Sequence, residues 1–212
     1  LSVKGRFNPR EQSYDAAIRA DSFPLNSFLP ADSLGIVDLT LQARGTGFDP
    51  LLPRTRTSLR AQIDRAEFGG RDFGGIELDA ELDSQRLSGR ISDRDEALRL
   101  LLSVSGTLTE REQRIGLSGS VFGFDLAALG VSPEPIGGSF ALDASASAAG
   151  KGAYAARIAL DSIEIRNKHR TDRIRPTSVS LHTDSAATRA EAASGDLSLT
   201  FSTPQSVSYT HL

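Results

Sequence analysis

The chain has 212 residues, 39% of them hydrophobic and 6% aromatic, with 19 Gly and no Cys, Met or Trp. Its 24 Lys and Arg against 27 Asp and Glu give a net charge of −3, so there is no electrostatic case for a nucleic-acid partner. The absence of Cys excludes disulfides and thiolate metal sites. The low apolar share, much of it Ala, predicts a thin buried layer, closer to one sheet than to a thick core.

Strand signals dominate from the first residue. Leu1, Val3, Gly5 and Phe7 alternate with polar residues until Asn8 and Pro9 stop the run, and Tyr14, Ala16, Ile18 and Ala20 alternate next. The segment 24–29, Pro-Leu-Asn-Ser-Phe-Leu, spaces apolar residues three apart and reads as one helical turn. Residues 36–44 carry Val37, Leu39, Leu41 and Ala43 on one side and Asp38, Thr40, Gln42 and Arg44 on the other. After a loop bounded by Pro50 and Pro53, Leu59, Ala61 and Ile63 fall on odd numbers, then Ala66 and Phe68 on even ones. A change of parity inside a strand predicts a β-bulge.

Ile76, Leu78, Ala80 and Leu82 follow, then Leu87, Gly89 and Ile91, then Leu98, Leu100, Leu102 and Val104. Ile115, Leu117, Gly119 and Val121 begin the next strand, and 125–129, Asp-Leu-Ala-Ala-Leu, reads as a second helical turn. Phe140, Leu142 and Ala144 alternate. Ile158 and Leu160 then give way to Ile163 and Ile165, a second parity change. Val179 and Leu181, a weaker stretch at 188–192, and Leu197, Leu199 and Phe201 complete the pattern, for about fourteen to sixteen strands in all.

The pattern repeats at an offset of 101 residues: Ile115 answers Tyr14 (115 − 14), Phe124 answers Phe23 (124 − 23) and Phe140 answers Leu39 (140 − 39). The expected organisation is the end of a preceding repeat at 1–13, one repeat at 14–114, a second at 115–204, and a non-native or disordered tail at 205–212. With no Met and a start in mid-pattern, the chain reads as an internal fragment of a longer protein. Short turns between strands imply antiparallel pairing. A barrel, a sandwich and a curled open trough all satisfy the alternation.

Catalytic signals are sparse. Glu77, Asp79, Glu81 and Asp83 all fall on the polar side of one strand and read as a solvated face. His169, His182 and His211 lack partners at ligand spacing. No Ser sits in a Gly-x-Ser-x-Gly elbow. Gly69-Gly70-Arg-Asp-Phe-Gly74-Gly75 lacks phosphate-loop spacing and reads as a hairpin loop. The basic run at 166–170, continued by Arg173 and Arg175, reads as a solvated loop, with anionic lipid headgroups as the alternative contact. No enzyme, cofactor or metal is expected. What remains is the apolar face, either an ordinary sheet-on-sheet core or a groove for acyl chains.

Asp21-Ser-Phe-Pro-Leu-Asn-Ser-Phe-Leu-Pro30 followed by Leu34-Gly-Ile-Val-Asp-Leu-Thr-Leu-Gln-Ala-Arg-Gly-Thr-Gly47 resembles the TamB/AsmA-like proteins of the bacterial envelope. Gly123-Phe-Asp-Leu-Ala-Ala-Leu-Gly130 with Ile136-Gly-Gly-Ser-Phe-Ala-Leu-Asp143 is the second instance, differing in placing Gly130 where the first has Leu29. The resemblance implies an all-β fold: a long, curled antiparallel sheet with an apolar groove, built from two repeats with one short helical turn each. It also implies a periplasmic location, anchored in the inner membrane through a segment of the parent protein. The implied roles are phospholipid transfer and outer-membrane protein assembly with a barrel partner that other parts of the parent would bind. The expected lining is Leu39, Leu41, Leu59, Ile63, Ile76, Leu78, Leu98, Leu100, Leu102, Ile115, Leu117, Phe140, Leu142, Ile158, Leu160, Val179 and Leu181. The alternative is a surface β-repeat or adhesin stalk whose apolar face is packed and dry.

Overall fold

The computed structural model describes residues 1–27, 34–68, 71–150 and 152–204. Phe28 and Leu29 of the first expected helical turn, Gly69 and Gly70 of the glycine-rich loop, and the tail 205–212 lie outside the described residues. The strands are β1 (Ser2–Asn8), β2 (Ser13–Pro24), β3 (Leu34–Thr46), β4 (Arg56–Phe68), β5 (Arg71–Phe73), β6 (Ile76–Asp83), β7 (Arg86–Arg94), β8 (Leu98–Leu108), β9 (Glu112–Asp125), β10 (Gly137–Ala149), β11 (Ala153–Arg166), β12 (Thr171–Ile174), β13 (Thr177–Thr183), β14 (Ala187–Ser194) and β15 (Leu197–Pro204).

All of them belong to one 15-stranded antiparallel sheet in the order β1-β2-β3-β4-β6-β7-β8-β9-β10-β11-β13-β14-β15. Each strand pairs with the next in the chain, apart from two stubs. β5 pairs only the end of β4, and β12 only the end of β11. The sheet is not closed: β1 and β15 are its outermost strands. Of the three architectures the alternation allows, the barrel and the sandwich are thereby excluded for the described residues. The two stubs correct the expectation of plain loops at 69–75 and 166–175. Three or four residues between turns are too few to show an alternation.

Among the described residues neither expected helical turn grows into an α-helix. Leu25–Ser27 forms a single 3-10 turn. At 125–130 one helical bond, from Leu129 N–H to Asp125 O at 2.9 Å, closes a turn whose start Asp125 caps by accepting the N–H groups of Ala127 and Ala128 at 2.8 and 3.1 Å.

The bulges recur with the sequence repeat. In the first half Ala20 pairs Leu39 and Phe23 pairs Val37, leaving Asp21 and Ser22 as the bulge. In the second half Val121 pairs Phe140 and Phe124 pairs Gly138, leaving Phe122 and Gly123. All four positions are shifted by 101 (121 − 20, 124 − 23, 140 − 39, 138 − 37). The two parity changes read from the sequence are also bulges: the register shifts at Asp64 of β4 against Asp38 and Leu39, and at Ser162 and Ile163 of β11 against Ser139 and Ala141. Bulges bend and twist the strands that carry them, and here they lie toward one end of the sheet.

The burial pattern is that of a sheet curled toward its apolar side. A flat single layer would leave every side chain half wet, yet Ala20, Val37, Leu102, Val121 and Ile163 are buried. Curling makes side chains of neighbouring strands converge on one another. One rim is drawn in by Arg71 of β5, whose Nη1 donates to Ala127 O and Ala128 O at 2.6 and 2.8 Å across the ends of β6, β7 and β8. At the other rim the loop 47–55 folds under the sheet. Phe48 packs on Phe7 and Tyr14 with ring centroids 5.5 and 5.6 Å away. Gly45 matters here: Tyr14 reaches across it to bond Thr57 Oγ1 at 2.7 Å, and a Cβ on Gly45 would sit 2.6 Å from the Tyr14 hydroxyl.

Candidate functional site: an open apolar face

Residues paired across an antiparallel ladder point to the same side of the sheet. One row therefore runs, strand by strand, through Val3, Ile18, Leu41, Ala61, Leu78, Ile91, Leu102, Gly119, Leu142 and Leu160. A parallel row runs through Ala43, Leu59, Ala80, Gly89, Val104, Leu117, Ala144, Ile158, Val179, Ala192 and Leu199. A third joins Ile115 through Ala146 and Ala156 to Leu181, Ala190 and Phe201.

Toward the bulged end, Leu39, Ile63 and Ile76 form one short row and Leu100, Val121 and Phe140 another. Leu98 lies beyond Leu100 on the same strand, opposite Phe124, whose ring is 6.1 Å from that of Phe140. All seventeen residues expected to line a groove thus share one side of one sheet, in both halves. Thirteen strands at the usual interstrand spacing of about 4.8 Å make this face roughly 58 Å wide along the curve.

The face is not uniform. Leu102 is 8% exposed, most of the first-half residues are half-buried, and Ile115, Ile158, Val179 and Leu181 are exposed, the middle two at 51%. Beyond them Leu197, Leu199 and Phe201 are exposed as well. Exposure rises toward both outer edges of the sheet, at Val3 and Phe7 on one side and from Ile158 and Val179 to Leu199 on the other, while Val121 and Ile163 stay buried. Alternation also marks Ile91, Val104, Val121, Phe124 and Ile163, which belong to the lining although the sequence list omits them.

A buried carboxylate interrupts the apolar side. Asp93 continues the Leu87, Gly89, Ile91 alternation, faces Leu100 across the ladder and is buried. Its carboxylate accepts the N–H of Asp95 at 2.8 Å and so closes the β7–β8 turn. Burial pushes this carboxyl above the usual aspartate range, against the backbone bond that favours the charged form. The period-2 signal was sufficient to find it.

The opposite face is polar and laced with cross-strand ion pairs: Arg44–Asp15 at 3.2 Å, Arg56–Asp83 at 2.8 Å, Arg60–Asp79 at 2.7 Å, Arg65–Asp72 at 2.9 Å and Arg173–Glu164 at 3.0 Å. These pairs are solvent-exposed and individually weak. Their use is to oppose a slip of one residue, which would turn the apolar set outward. The acidic row Glu77, Asp79, Glu81 and Asp83 lies here. The bond to Asp79 raises the Arg60 guanidinium, and Ser84 and then Arg56 hold Asp83 below its usual range. His169 sits in the turn before β12, while His182 lies on this face, 3.7 Å from Asp184.

Among the described residues no group of three or more His, Cys, Asp or Glu could hold a metal ion, and no helix is long and apolar enough to cross a membrane. Comparison with family models, with curated proteins and with solved structures finds no match for this chain.

Proposed function

We propose that the chain is a non-enzymatic segment of a TamB/AsmA-like envelope protein, spanning part of the periplasm. Its concave apolar face would carry phospholipid acyl chains between membranes and serve outer-membrane protein assembly. The observation that supports this reading is the single continuous apolar side, in register across both halves and covered by no second sheet among the described residues. A stalk with a dry core needs a second layer over that side. Acyl chains need no hydrogen-bonding partners at fixed positions, so a lining of Leu, Ile, Val, Phe and Ala is sufficient for them. At about 0.8 kcal/mol per CH₂ removed from water, a chain of about sixteen carbons gains on the order of 10 kcal/mol before ordering costs.

On this reading the anchor in the inner membrane and the contact with a barrel partner belong to other parts of the parent protein. The division into repeats at 14–114 and 115–204, each unable to cover its own apolar side, belongs to the same proposal. The test is a photo-reactive residue placed in the intact protein in cells. At Leu142 or Leu100 it should give phospholipid adducts, and at Ser103, on the polar side, it should give few. Equal yields at the three positions, or adducts only to protein at Leu142, would reject a lipid-carrying groove.

A further inference from the structure

The polar side has one place where its own rules are broken. Phe122, the bulge residue of β9, points outward and is 57% exposed, and Leu101 beside it is 38% exposed. Both lie in a surface concavity of about 460 Å³ that Arg90, Arg94 and Arg99 also line. That volume falls in the range of small-molecule sites. Arg94 and Arg99 stand directly opposite each other in the β7–β8 ladder, an arrangement that like charges disfavour. Neither they nor Arg90 belongs to any ion pair among the described residues.

Three acids also border the concavity, and none is ion-paired with these arginines among the described residues: Asp79 stands opposite Arg90 in the ladder but is bound to Arg60 at 2.7 Å, Asp93 accepts the Asp95 N–H, and Glu77 makes no ion pair. The position of Arg99 is provided for by the fold: its guanidinium lies over Gly123, where a Cβ would come within 3.0 Å of Nη2.

We infer that this concavity binds a small amphiphile bearing an oxyanion, phosphate or carboxylate, on an apolar body. The oxyanion bridges Arg94 and Arg99, for which a planar guanidinium fork is suited, and the apolar body rests on Phe122 and Leu101. Binding relieves the repulsion between the two guanidinium groups and covers the two misplaced apolar side chains. The site opens on the polar side, with Leu100 and Asp93 of the apolar side at its border.

Phenyl phosphate, which forms no micelles, is the probe, with inorganic phosphate and phenol as its two halves. Titration of the 212-residue chain by amide NMR should give saturable shifts confined to 90–101 and 120–123. Inorganic phosphate and phenol should each bind at least about tenfold more weakly. The double variant R94Q/R99Q should weaken binding by about tenfold or more, and Phe122→Ser, at an exposed position that does not threaten folding, severalfold. The inference is overturned by phenol or inorganic phosphate binding as well as phenyl phosphate, by shifts along β10 and β11 that survive R94Q/R99Q, by Phe122→Ser binding unchanged, or by no saturation below about 10 mM.

Discussion

Ile158 and Val179 are ladder partners on adjacent strands, each about half exposed on the apolar side. Full burial of such a side chain is worth about 1.5–3 kcal/mol, so roughly half of that, about 1 kcal/mol each, is realised within the sheet. The other half is available to a ligand. Replacing both with Ser should therefore cost about 2 kcal/mol of stability and leave the fold intact. The same change should remove about 2 kcal/mol from acyl-chain binding, a loss of roughly thirtyfold at 1.4 kcal/mol per decade. Urea denaturation gives the first number. Titration with a photo-activatable phospholipid, scored by adduct yield, gives the second. A stability loss well above about 4 kcal/mol would mean that these side chains are packed beneath something, and the open-face argument would fail. Unchanged lipid labelling in a folded variant would refute the use of this face.

Leu102→Ala, at the closed centre of the same row, should cost about 2–4 kcal/mol in denaturation, clearly more than either exposed-position change alone; equal costs would contradict the graded curl. Asp93→Asn keeps an acceptor for the Asp95 N–H and removes a desolvated charge. Because burial raises the folded-state pKa, the wild-type penalty is present at neutral pH and vanishes as pH falls through that raised value. The variant should melt higher than wild type at pH 7, with the gap closing on acidification; a gap that widens in acid would show that Asp93 is held as a favourable anion. Gly45→Ala should cost about 1–3 kcal/mol, because the added methyl meets the Arg56 carbonyl oxygen and displaces Tyr14 from Thr57; a neutral result would mean that neither group lies so close to Gly45.

Most of the fold follows from parity. In a meander of antiparallel strands joined by short turns, each strand inherits the facing of its neighbour, so alternation within strands is enough to put Leu41 and Leu142 on one side although 101 residues separate them (142 − 41). Where parity changes, at Ile63 to Ala66 and Leu160 to Ile163, the sequence marks a bulge, and both are present. The bulges of β2 and β9 escaped because Asp21, Ser22, Phe122 and Gly123 stand beside Pro24 and the turn at 125–130, where a lost alternation reads as the end of a strand. β5 and β12 escaped because a stub held by one neighbour leaves no periodic trace. Curvature is not in the parity; only the family resemblance implied it. It depends on where bulges stack across strands and on the reach of Arg71 to the 127–128 carbonyls, a contact between distant segments.

The same bulge explains why the polar site was invisible in the sequence. Phe122 follows Val121 and precedes Phe124, so an uninterrupted strand would read it as a polar-side lapse in an apolar run. The extra residue allows both Val121 and Phe124 to face the groove, and Phe122 and Gly123 are then left between them on the far side. In the first half the equivalent pair is Asp21 and Ser22, which are polar: Arg19 binds Asp21 at 3.0 Å, and Asp38 accepts the Ser22 N–H. The two halves thus share a backbone device and differ in what it displays. One copy seals its bulge with its own polar groups. The other presents an aromatic ring beside arginines that make no ion pair among the described residues, and shared architecture cannot account for that difference.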